Sequence, residues 1–261
     1  MAHRTHTLES FGVPYEITGA ATQWRAAVPP QTKTSRRTPL RRYAIERDGE
    51  GLRLLLDGAE LGHALDGRAL SDLLEGDLAL FVASHAPDRI FVHAGVVGWQ
   101  GAALLVPGRT MSGKSTLIAA LVALGATYYS DEYAVLDDQG RVHAYPRRLS
   151  LRQRRGLPLR VAPARVGKKA LRVAWVIGTR YEKGATLRLE ALTAGRAVLL
   201  LLDNAVAARV VPGRVLATLA RVTETATAFS GVRGAAQGAA RQLLSRCTAE
   251  DAMIRTVSRK R

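Results

Sequence analysis

The stretch LLVPGRTMSGKSTLIAAL, residues 104 to 121, constrains this chain more than any other. An apolar strand runs into Gly108, the loop to Ser115 spells G-x-x-x-x-G-K-S, and an apolar-periodic helix follows. Such a loop lets backbone N–H groups converge on a phosphate at a helix N-terminus. Lys114 can then reach the β- and γ-oxygens, and Ser115 can offer its hydroxyl to Mg²⁺. Gly108, Ser112, Gly113, Lys114, Ser115 and Thr116 are therefore the expected positions around an anionic nucleotide. Thr116 reads as a helix-start residue rather than a second metal ligand. A glycine-rich turn opening an ordinary amphipathic helix is the plain alternative, and the strand-loop-helix context argues against it.

What enters the loop is unusual. Arg89 to Val97 and Ala102 to Val106 are strand-like runs separated only by Gly98-Trp99-Gln100-Gly101, so they are expected to pair antiparallel, giving a mixed sheet rather than the parallel sheet that feeds most phosphate loops. After the loop helix, ended by Gly125, the strand 126–130 runs into Asp131-Glu132, which follows Lys114 by 17 positions. Two acids at a strand end suit phosphoryl transfer, where one holds Mg²⁺ and the other takes a proton from the attacking hydroxyl or water. A solvated turn is the other reading. His93, on the first strand of the hairpin, would by itself be a satisfied structural histidine.

Together V-H-A-G-V (92–96), G-R-T-M-S-G-K-S (108–115), Gly125 and S-D-E (130–132) resemble the core of the HPr kinase/phosphorylase family. The likeness is good over residues 90 to 150. Elsewhere it lies in the order of elements, which is similar to HPr-kinase-related proteins such as lasso-peptide precursor kinases. The resemblance implies an α/β fold with a phosphate-loop core of that type. It implies ATP and Mg²⁺ as cofactors, Lys114 on the phosphates, Ser115 on the metal and Asp131 as the base toward an acceptor hydroxyl. It further implies Glu132 as a metal ligand and His93 near the transferred phosphate. Where family members acting on HPr carry Glu-x-Arg-Gly, this chain has Gln153-Arg154-Arg155-Gly156, and no acid occurs between Asp138 and Glu182. Both HPr as substrate and a reverse phosphorylase activity are weakened by that departure.

The leading expectation is an ATP-dependent kinase acting on a Ser or Thr hydroxyl of a peptide or small protein, with a small-molecule alcohol as another acceptor. A nucleotide-binding regulator or ATPase is the second reading, with the roles of Asp131 and Glu132 exchanged. Neither an LSGGQ-like transporter signature nor an N-K-x-D guanine-reading motif is present. The arginines 147, 148, 152, 154, 155 and 160 could hold an anionic substrate or form a solvated basic loop, and the sequence leaves the two open.

Around this core we expect three regions. Residues 1–88 form a small α+β region with a basic linker or loop at 29–42, residues 89–250 the catalytic core, and residues 251–261 a frayed polar tail. The net charge of +16 is arginine excess spread along the chain, which favours anionic partners. No nucleic-acid module accompanies it, so a nucleic-acid partner is not expected. No apolar run is long enough to span a bilayer, and MAHRTHTLES lacks the apolar segment of a secretory signal, which makes the cytoplasm the expected compartment. Cys247 is the only cysteine, so no intramolecular disulfide forms. Whether the chain self-associates is left open.

Overall fold

The computed structural model describes residues 4–108, 112–151 and 159–258. It is a mixed α/β protein whose backbone clusters into two units, residues 1–89 and 90–261.

The first unit is a six-stranded sheet with helices. Its strands are β1 (Thr5–Ser10), β2 (Val13–Thr18), β3 (Lys33–Thr34), β4 (Arg42–Asp48), β5 (Gly51–Leu56) and β6 (Ala59–Ala64), in the order β3-β1-β2-β4-β5-β6. Only the β2–β4 pair is parallel. Between β2 and β3 lies the single turn α1 (Ala21–Trp24), and after β6 comes α2 (Gly67–His85), started by Asp66, whose carboxylate accepts the Ala69 N–H at 2.8 Å. Leu70, Leu74, Leu78, Phe81 and Val82 fall on one buried face of α2, as the 3.6-residue spacing predicts. Segment 29–42 is no free linker. The Thr32 hydroxyl lies within hydrogen-bond distance of Ser10 and Tyr15, β3 pairs with β1, and Arg37 donates to the Gly12 carbonyl at 2.8 Å. Its prolines and arginines read as linker because the groups that fix it come from the first strands, a non-local pairing that no local pattern reveals.

The second unit is built on a larger mixed sheet. In chain order it comprises β7 (Ile90–Trp99), β8 (Ala102–Pro107), α3 (Lys114–Ala123), β9 (Thr127–Ser130), β10 (Tyr133–Leu136) and β11 (Arg141–His143). There follow a small hairpin of β12 (Leu149–Leu151) and β13 (Leu159–Val161), then β14 (Leu171–Tyr181), β15 (Arg188–Ala191), α4 (Ala194–Leu202), α5 (Pro212–Thr225), β16 (Thr227–Arg233) and α6 (Ala236–Ser258). Strand order is β11-β10-β7-β8-β14-β16-β15, with β9 also on β7. β8, β14 and β16 are parallel to one another, and β7 is antiparallel to β8 with Ala94 opposite Pro107 and Trp99 opposite Ala102. The expected hairpin into the loop is therefore present.

Both faces of this sheet are covered, which explains the unbroken apolar runs of its central strands. Leu104, Val106, Trp175, Ile177 and Phe229 point to α3 and α6, where Leu117, Ile118, Leu121, Ala240 and Leu243 meet them. The alternate residues Ala103, Leu105, Val176 and Ala228 point to α4 and α5, against Ala197, Leu201, Val215 and Leu219. α6 continues to Ser258, so residues 251–258, which read as a frayed tail, belong to a helix. Among the described residues no helix is long and apolar enough to cross a membrane.

Candidate functional site

The β7–β8 ladder extends one residue beyond β8, because the Gly108 N–H donates to the His93 carbonyl at 3.1 Å. The first loop residue is thereby clipped to the strand that carries the histidine. Loop positions 109–111 lie outside the described residues. The chain re-enters at Ser112 and Gly113, and Gly113 caps α3 with φ +83°, a left-handed conformation suited to glycine. A Cβ there would also stand 2.5 Å from the Arg233 guanidinium, which would have to shift. Lys114 and Ser115 occupy the first turn of α3, with no acidic side chain in that turn to compete for its free N–H groups. The Lys114 ammonium folds back onto the Gly108 carbonyl, closing the loop. Thr116, in the same turn, is exposed.

The acidic pair lies between two strands that share one neighbour. β9 and β10 both lie antiparallel on the same strand β7: Ser130 faces Val96 and Tyr133 faces His93, so a single register runs through Asp131 and Glu132. It slips between Val96 and Val97, which leaves Tyr129 as an extra residue, a β-bulge. The buried Ser130 hydroxyl accepts the N–H groups of Glu132 (3.1 Å) and Tyr133 (3.0 Å), holding the bent chain, while the Ala94 N–H is satisfied by the Glu132 carbonyl at 3.1 Å. Asp131 keeps that register, opposite Gly95. Its carboxylate accepts the Tyr128 hydroxyl at 3.0 Å and also meets the Ser115 hydroxyl of the loop helix, the Ser150 N–H and its own N–H.

These groups share one electrostatic neighbourhood. Burial raises the Asp131 pKa above the ordinary carboxylate value, and its four donors pull the other way without cancelling the effect. Lys114 is lowered by burial, against the attraction of Asp131 and Glu132. His93 is lowered by burial and then by the Lys114 charge, so its ring is neutral at pH 7. Its ring packs on Tyr133 with centroids 4.7 Å apart, and the charge of Glu132 raises both Tyr133 and Tyr145 beyond what burial alone does. Lys114, Ser115, Asp131, Glu132 and His93, five positions spread over 40 residues of sequence, thus converge at one end of the sheet.

A Ser115 hydroxyl beside a carboxylate fits Mg²⁺, which prefers oxygen ligands and takes one or two carboxylates together with phosphate oxygens rather than an all-protein cage. No group of three or more His, Cys, Asp or Glu side chains that could hold a metal by themselves occurs among the described residues.

Some contributors gave little sequence signal. Tyr128, Ser130 and Ser150 look like ordinary core or strand residues, and Arg233, which donates to the Gly113 carbonyl at 2.8 Å, comes 119 positions after Lys114. Arg152, Arg154 and Arg155 lie outside the described residues, as does the 153–156 segment. Arg147 turns inward: its carbonyl accepts from Tyr128 at 2.9 Å and its guanidinium bonds Tyr145. Arg148 is exposed, and His143 is held by Asp137 at 2.8 Å across a turn, as a structural pair.

The Tyr128 contact carries a sign that can be measured. A donor stabilises the ionised carboxylate, so Tyr128→Phe is expected to raise the already raised Asp131 pKa further. Metal needs the ionised form. The acid limb of Mg²⁺-dependent nucleotide binding should therefore move to higher pH in Tyr128→Phe, as read by calorimetry across a pH series. An unmoved limb would separate Asp131 from the metal.

Comparison with models of protein families gives no match for this chain, nor does comparison with curated proteins.

Proposed function

We propose that this protein is an ATP- and Mg²⁺-dependent phosphotransferase of the HPr-kinase-like phosphate-loop type, transferring the γ-phosphate to the hydroxyl of a Ser or Thr in a peptide or small protein. The observation that carries the reading is the meeting of Asp131 with Ser115 on the loop helix, next to Lys114, whose own pKa answers to both Asp131 and Glu132. It joins the acidic pair to the loop helix in the way metal-assisted phosphoryl transfer needs. In this reading the α3 N-terminus and Lys114 take the phosphates. Mg²⁺ supplies charge neutralisation at the phosphoryl oxygens, held from the protein side by Ser115 and one carboxylate.

Two divisions of labour are open to the acids. The resemblance implies Asp131 as base and Glu132 at the metal. The Ser115 contact favours the reverse, because a carboxylate beside the metal-binding hydroxyl stands on the metal side. Glu132 is then the group to take the acceptor's proton. Neutral His93, close enough to feel Lys114, suits a place beside the transferred phosphate without adding charge.

Hydrolysis is the second reading, favoured by the same Ser115 contact, since water can replace the acceptor hydroxyl in an otherwise identical site. The two part on the product. Incubation with ATP, Mg²⁺ and a library of Ser- and Thr-containing peptides, followed by mass spectrometry, is expected to yield a peptide heavier by one phosphoryl group. Steady phosphate release with no phosphorylated peptide would assign the protein as an ATPase.

A further inference from the structure

The nucleotide reading accounts for phosphates and metal and leaves the base without a partner. The chain buries its aromatics almost completely. Of its 3 Trp, 7 Tyr and 4 Phe residues, all of them described, Tyr181 alone is exposed, at 54%. An isolated exposed aromatic needs no explanation by itself, so its position is what matters.

Tyr181 is the last residue of β14, at the carboxyl end of a parallel strand, and in register with Arg233, the last residue of the parallel neighbour β16. Two-residue periodicity puts Tyr181 on the same face as Trp175 and Ile177, and Arg233 on the face of Phe229; that is the face covered by α3 and α6. Tyr181 therefore stands beside the N-terminal end of the loop helix. Arg233 makes the link physical. Only 2% exposed, it donates to the Gly113 carbonyl at 2.8 Å and stacks on the Tyr181 ring, its central carbon 5.6 Å from the centroid. No carboxylate among the described residues shifts its pKa, and its Nε is buried without a partner. The buried guanidinium is met by the Gly113 and Gly234 carbonyls and by the face of the Tyr181 ring. One aromatic surface thus packs against a fixed cation that touches the phosphate loop, while half of the ring remains open to solvent.

We propose that Tyr181, held by Arg233, is the platform on which the nucleobase of the bound nucleotide stacks. The proposal rests on the phosphate-loop reading and adds the subsite for the base. Every base has a π-face, so stacking of this kind gives affinity with little choice among purines.

Mg²⁺ complexes of ATP and of inorganic tripolyphosphate separate the two layers, because tripolyphosphate has the phosphates and no base. By calorimetry, Tyr181→Ala is expected to weaken ATP about tenfold while leaving tripolyphosphate as tightly bound as in the wild type, and Tyr181→Phe is expected to bind both normally. ATP affinity unchanged in Tyr181→Ala, or equal losses for the two ligands, would overturn the platform while leaving the phosphate loop standing. Wild-type protein that bound neither ligand would overturn both.

Discussion

Lys114→Ala is expected to weaken ATP binding by about tenfold to a hundredfold, the range given by losing a hydrogen bond to a charged group. The side chain lies where it can act on phosphate. It emerges from the first residue of α3 and reaches the Gly108 carbonyl, and its pKa is lowered by burial against the attraction of Asp131 and Glu132. Exchange of one carbonyl for phosphate oxygens needs a short movement of a flexible stem. Lys114→Arg does not substitute for it, since a planar fork cannot replace a point charge inside a closed loop. Calorimetry in Mg²⁺ measures the effect, and equal affinity in wild type and Lys114→Ala would remove the phosphate-loop reading altogether. The loss should be similar for tripolyphosphate, which distinguishes Lys114 from Tyr181. It should also lift the depression of the His93 pKa in part, because one of the two causes of that depression is the Lys114 charge. His93 titration by NMR is therefore an independent check that the two groups face each other.

How far the sequence could be read depended on whether the physics was local. β8 and α3 were legible because a run of buried apolar residues, a glycine loop and a helical period follow one another directly. The antiparallel β7–β8 pair followed from a connection too short for a crossover. What stayed hidden depends on partners far along the chain. β3 exists through β1, and the groups that tie down Thr32 and Arg37 come from residues 9 to 15. The bulge at Tyr129 is likewise invisible in TYYSDEY, because an extra residue is defined only against the register of β7. Asp131 and Glu132 could thus be picked out as chemistry-bearing residues while the direction of each side chain could not. Arg233 had no signal at all: it is one of many arginines in a chain of net charge +16, and only the end of β16 gives it Gly113.

The second large effect concerns that acidic pair, and it decides between the two divisions of labour. Glu132→Gln removes a proton acceptor while keeping the shape, so phosphoryl transfer is expected to fall by about 10²-fold or more with ATP affinity and metal requirement retained. Asp131→Asn should fail differently. Four donors converge on the Asp131 carboxylate, from Tyr128, Ser115, the Ser150 backbone and its own backbone N–H. An amide offers them a single oxygen and presents an N–H₂ that can only donate, so one of those donors loses its acceptor. The metal side of the site loses its anionic charge at the same time. Turnover by Asp131→Asn should accordingly be recovered, at least in part, by raising Mg²⁺, whereas Glu132→Gln should stay slow at any metal concentration. Should the resemblance's assignment hold instead, the pattern inverts, with metal rescue belonging to Glu132→Gln and the irrecoverable loss to Asp131→Asn. Metal titrations of both variants, with phosphorylated product counted separately from free phosphate, give the two answers independently. The position of rescue identifies the metal-side carboxylate, and the fate of the phosphoryl group tells a kinase from a hydrolase.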